Sequence, residues 1–108
     1  MTVDFEFFQK IELKIGKILE AVRVDGSDKL LRMQVDLGEE APRQIIAGIG
    51  KAYEPEILIG RELLFIANLE PRTIMGLESQ GMVLAASDEQ GPIVLSPDRE
   101  VSPGASLK

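Results

Sequence analysis

Residues 13–24, LKIGKILEAVRV, alternate apolar and polar side chains with one break in phase. Leu13 and Ile15 occupy odd positions, whereas Ile18, Val22 and Val24 occupy even ones. Period-two alternation marks a half-buried strand. A phase slip inside one continuous strand predicts a β-bulge, here at Gly16-Lys17, and a bulge bends its strand sharply. A long, bent first strand is what a small closed barrel needs, because the sheet must curl back on itself.

The rest of the chain fits that frame. Phe5, Phe8 and Ile11 recur at helical spacing behind Asp4, predicting a short N-capped helix over residues 4–10. After the turn residues DGSD (25–28), Leu31, Met33, Val35 and Leu37 face inward, with Arg32, Gln34 and Asp36 outward. GEEAP makes the next turn and RQIIAGI a third strand. In KAYEPEILIG, Pro55 fits a first helical position and Gly60 the residue past a helix end, so a helical turn is expected there. RELLFIANL predicts a strand buried on both faces, and GMVLAAS a fifth strand. Between them the chain turns through the Gly-punctuated stretch PRTIMGLESQ, and IVLSPDREVSPGASLK holds two short strand-like pieces separated by Pro97 and Pro103.

The pattern reads as all-β, a five-stranded Greek-key barrel of the oligonucleotide/oligosaccharide-binding (OB) type, with other small barrels as the alternative. It carries a short N-terminal helix, a helical turn between strands 3 and 4, and a C-terminal extension. A chain of 108 residues predicts a single domain, divided into helix (1–12), barrel (13–87) and an extension serving dimerisation (88–108).

Composition removes several functions. The chain has no His and no Cys, which excludes Ser-His and Cys-His catalysis and removes thiolate and imidazole metal ligands. No metal, no cofactor and no enzyme activity are expected. Without a disulfide framework the expected location is cytoplasmic. No apolar stretch approaches the roughly 20 residues of a membrane span, and MTVDFEFFQK is acidic where a secretion signal would be basic. The net charge of −6 opposes nucleic-acid binding by bulk charge, so any such affinity requires folding to gather basic residues locally.

Three segments, DKLLRMQVDLG, PRQIIAGIGKAYEPEILIG and ANLEPRTIMGLESQGMVLAAS, closely resemble the tRNA-binding domain family. The resemblance runs from about Asp4 to Lys108, and the tail SPDREVSPGASLK looks most like the methionyl-tRNA synthetase branch. Members include the C-terminal domain or β subunit of that synthetase and free-standing dimeric tRNA-binding proteins. The resemblance implies an OB-fold that binds the outer corner of tRNA by shape, a homodimer, and the catalytic part of methionyl-tRNA synthetase as a further partner.

The candidate tRNA-binding residues are Lys29, Arg32, Arg43, Lys51, Asn68, Arg72, Ser79 and Met82. The basic residues gain meaning if the barrel gathers them into one stripe, because a guanidinium forks onto phosphate. The bland alternatives are solvated charges, a strand-end cap for Asn68, a turn residue for Ser79 and core packing for Met82. The resemblance places Met82 at the binding surface. Single-strand binders stack bases on exposed aromatics, and only Tyr53 is a candidate platform here. Recognition of a folded RNA therefore fits better. The competing function class is a protein-interaction, dimerisation or chaperone-like module of the same fold.

Overall fold

The computed structural model describes residues 1–108. Five strands form one antiparallel sheet: β1 (Leu13–Arg23), β2 (Leu31–Asp36), β3 (Arg43–Ala47), β4 (Glu62–Ile66) and β7 (Met82–Val83), in the order β3-β2-β1-β4-β7. Two hairpins add to it, β5 (Arg72–Ile74) with β6 (Leu77–Ser79), and β8 (Ala85–Asp88) with β9 (Gly91–Val94). The helices are short: α1 (Phe5–Gln9) and α2 (Pro55–Leu58). Neither is long and apolar enough to cross a membrane.

The sheet curls until its outer strands nearly meet. Gln80 donates its N–H to the Gln44 carbonyl at 2.8 Å, and the Gln80 side chain accepts the Gln44 N–H at 3.0 Å. These bonds join β3 to the β6–β7 link and make the barrel nearly closed, as expected. Phe65, Ile18, Leu31, Met33, Val35, Leu37, Ile45 and Leu63 fill the interior with almost no exposure. Leu58 of α2 is equally buried and joins this core. Pro55 opens α2, and Gly60 leaves it with φ +88°, the left-handed conformation that glycine adopts cheaply.

The bulge is real but displaced. Ile18 pairs with Val35 and Glu20 with Gln34, which leaves Leu19 as the extra residue, not Gly16-Lys17. Gly16 points inward, where a Cβ would lie 2.6 Å from Val35 Cγ1 and 2.8 Å from Leu37 Cδ2. Its missing side chain hid the inward phase. Leu13 and Ile15 are apolar for a different reason: the C-terminal tail pairs along this part of β1, with Ala105 and Leu107 beside Ile15.

The tail beyond residue 88 also makes contacts within its own chain. Val94 of β9 joins the core and donates its N–H to the Tyr53 hydroxyl at 3.1 Å. Further on, Ile15 donates to the Ala105 carbonyl at 2.9 Å, while Gly104 and Leu107 donate back to Ile15 and Leu13 at 2.7 and 2.9 Å. Val94 and residues 104–107 are thus anchored to the barrel of their own chain. The same Tyr53 bond removes the one aromatic platform expected from sequence, since the ring packs against the core.

Candidate nucleic-acid interface

The outer face of β2 and β3 is built by register. Arg32 pairs with Ile46, and Gln34 with Gln44, while Met33 and Ile45 point to the core. Arg32 is consequently exposed, as its position outside the Leu31/Met33 face demands. Over the Ile46 end lies the β5–β6 hairpin, whose Ile74 and Leu77 cover a small cluster of Val24, Leu30 and Ile46.

A continuous series of neighbours joins Arg32 to Arg72. Arg32 lies opposite Ile46, the Ile46 N–H donates to Ser79 Oγ at 2.9 Å, and Ser79 pairs with Arg72. Three strand steps of about 5 Å put these two guanidinium-bearing positions on the order of 15 Å apart. Both arginines are exposed and bonded to nothing within the chain. At the hairpin tip, Met75 (φ +49°) and Gly76 (φ +79°) make the two-residue turn. A non-glycine residue in that conformation is strained, and Met75 is 56% exposed.

Three nominated residues are committed inside the chain. Asn68 accepts the Glu12 N–H at 2.8 Å and donates to the Lys10 carbonyl at 2.6 Å, pinning the α1–β1 link to the end of β4. Ser79 is 3% exposed and, besides accepting from Ile46, donates to the Gly81 carbonyl at 3.0 Å. Arg43 forks onto Glu39 at 2.8 and 2.7 Å and donates to the carbonyls of Ala67 and Gln80. The Arg43 side-chain hydrogen bond holds the Glu39 carboxyl below its ordinary range, and the same bond raises Arg43. Arg43 acts as a latch across the barrel seam.

The remaining candidates divide by place. Lys29 and Lys51 meet beside the β1–β2 turn, at the same end of β2 as Arg32, where Gly50 donates to the Lys29 carbonyl at 2.7 Å and Lys51 Nζ lies 3.6 Å from Asp28. Arg23 organises that end by donating to the Gly50 carbonyl at 2.9 Å and pairing with Glu54 at 3.0 Å. Met82 opens β7, partly exposed, opposite Ile66. The expected single stripe of Lys29, Arg32, Arg43, Lys51 and Arg72 therefore lacks Arg43. Sequence reasoning missed Glu20, Gln34 and Gln44, which line a cleft with Arg32. Gln34 was legible as outward-facing, but the strand partners that bring Glu20 and Gln44 beside it were not.

Comparison with known proteins adds to this geometry. Residues 13–106 match the family model described as a putative tRNA binding domain. A methionine–tRNA ligase of Methanothrix thermoacetophila is 49% identical over 98% of this chain, which spans only 16% of that protein's length. The crystal structure of a MetRS related protein from Pyrococcus horikoshii superposes with a TM-score of 0.93 at 34% identity, covering 100% of this chain and 99% of that one. The chaperone CsaA of Bacillus anthracis str. Ames superposes with a TM-score of 0.89 at 28% identity over 100% of both chains.

Proposed function

The chain belongs to the putative tRNA-binding domain family, and from that membership we propose that it binds tRNA as a non-catalytic module. Binding is to the folded RNA, through phosphates and 2′-hydroxyls rather than by stacking on a single strand. The observation that carries this reading is the pair of uncommitted arginines, Arg32 and Arg72, linked through Ile46 and Ser79 on one outer face. With Lys29 and Lys51 at the same end of β1 and β2 as Arg32, they gather basic groups locally on a chain of net charge −6. In the whole protein the module is the appended domain or β subunit of a methionyl-tRNA synthetase and delivers tRNA to its catalytic part; the likeness to a methionine–tRNA ligase supports this.

A gel shift with total tRNA, competed by unstructured RNA, tests the reading. Retention against the competitor is expected, with log affinity falling against log salt by about 0.7–0.9 per neutralised phosphate. A flat salt dependence would overturn phosphate recognition.

A second reading, a protein-interaction module, has its own observation. Helix α1 buries none of its residues, and Phe5 and Phe7 are 69% and 53% exposed. Phe8, Ile11 and Leu107 line an adjoining cavity of about 590 Å³ between α1 and the tail. This apolar face is the dimerisation surface in our reading, built from residues 1–12 and 88–108 in an isologous two-fold contact. The likeness to the chaperone CsaA supports the alternative, in which the face takes a polypeptide.

A further inference from the structure

The cleft beside Arg32 suits a neutral hydrogen-bonding ring better than a phosphate. It has a volume of about 460 Å³ and lies over the outer face of β1 and β2. Arg32 pairs across the strands with Val22, and Glu20 with Gln34, so the guanidinium and the carboxylate are diagonal neighbours on one face. Neither enters an ion pair. The Gln34 amide makes no hydrogen bond within the chain, and Gln44 donates one N–H to the Glu78 carbonyl at 2.9 Å, which leaves its own oxygen free. Val22 and Ile59 flank these groups with exposed aliphatic surface.

A phosphate entering here would meet the Glu20 carboxylate, and an apolar side chain would strand the two amides. An unstacked base suits these walls: its faces rest on aliphatic surface, and its edges both donate and accept. We propose that this cleft takes one unpaired guanine of the bound RNA. Guanine presents N1–H and N2–H side by side, matching the two oxygens of Glu20, while its O6 and N7 accept from the Arg32 fork. Adenine would set an acceptor, N1, against the carboxylate, a repulsive contact. Arg32 then reads one base while Arg72 and the lysines are left to the phosphates, and this rests on the tRNA-binding reading above.

The test uses tRNA transcripts in which unpaired guanines are replaced one at a time by inosine, which lacks the N2 amine. Binding is measured by fluorescence anisotropy at fixed salt with the parent protein and with Glu20→Gln. One position is expected to weaken parent binding by about tenfold, the scale of one charge-assisted hydrogen bond. Glu20→Gln should be insensitive at that position. If no position matters, or if Glu20→Gln remains as sensitive as the parent, the guanine cleft is overturned while tRNA binding stands. If the unmodified tRNA is not bound, both fall together.

Discussion

Ser79 Oγ accepts the Ile46 N–H at 2.9 Å and returns its own proton to the Gly81 carbonyl at 3.0 Å. One buried hydroxyl thus joins β3 to the β6–β7 link, where the open sheet would otherwise expose an edge. Ser79→Ala removes both bonds and leaves the buried Ile46 amide without a partner. A loss of about 1–3 kcal/mol is expected, read from the midpoint of urea unfolding. An unchanged midpoint would show that this seam contributes nothing to stability.

Gly104 holds the tail against β1. Its φ is +90°, and a Cβ there would lie 2.9 Å from the Leu37 carbonyl carbon and 3.1 Å from Gly38 Cα. Gly104→Ala combines backbone strain with a clash against main chain, which cannot rotate away. The tail should detach, and the Ile15 and Leu107 amides should lose hydrogen-exchange protection. Gly48→Ala is the control, since nothing lies within 4 Å of a Cβ there and no positive φ opposes it. Equal protection in the two variants would mean that the tail is not anchored at Gly104.

Much of this architecture could be read from the chain, and the failures have physical causes. The inward row Leu31, Met33, Val35 and Leu37, the Asp4 cap, and the Pro55 and Gly60 boundaries all depend on local chemistry, which sequence displays. The bulge was misplaced because Gly16 faces the core without a side chain and the exposed Leu19 is apolar. The β5–β6 hairpin escaped notice because its tip is Met75-Gly76, which lacks the Asn-Gly or Asp-Gly signature of such turns. For the site, exposure of Arg32 followed from alternation. The commitments of Asn68 to Lys10, 58 residues away, and of Ser79 to Ile46, 33 away, exist only once the barrel closes.

The Glu39–Arg43 latch makes stability depend on acid. The Glu39 carboxyl is held below its ordinary value of 4.5, chiefly by the Arg43 hydrogen bond. The unfolded chain therefore takes up its proton first as pH falls. The contribution is complete above pH 4.5 and is lost as pH drops through the lower folded value. The difference in Tm between the parent and Glu39→Gln should be constant at neutral pH and shrink below pH 4.5. A difference that grows on acidification would contradict the latch.

Arg72→Ala and Arg43→Ala should separate binding from folding. Arg72 follows Pro71, whose ring fixes the local backbone, so its side chain loses little freedom on meeting a phosphate. It is exposed at the start of β5 and has no partner within the chain, unlike Arg99, which pairs with Asp98 at 3.0 Å, and Arg61, which reaches Ser96 at 3.5 Å. Arg72→Ala should weaken tRNA binding about ten- to a hundredfold, the scale of one charge-assisted hydrogen bond. The salt slope should shrink by about one, with Tm unchanged. Arg61→Ala and Arg99→Ala should do far less. Arg43→Ala should reverse the pattern, lowering Tm because the Ala67 and Gln80 carbonyls and Glu39 lose their shared donor. If Arg72→Ala binds tRNA as tightly as the parent at matched salt, the hairpin serves only to cover Ile46, and the apolar face around α1 becomes the better candidate for what this domain binds.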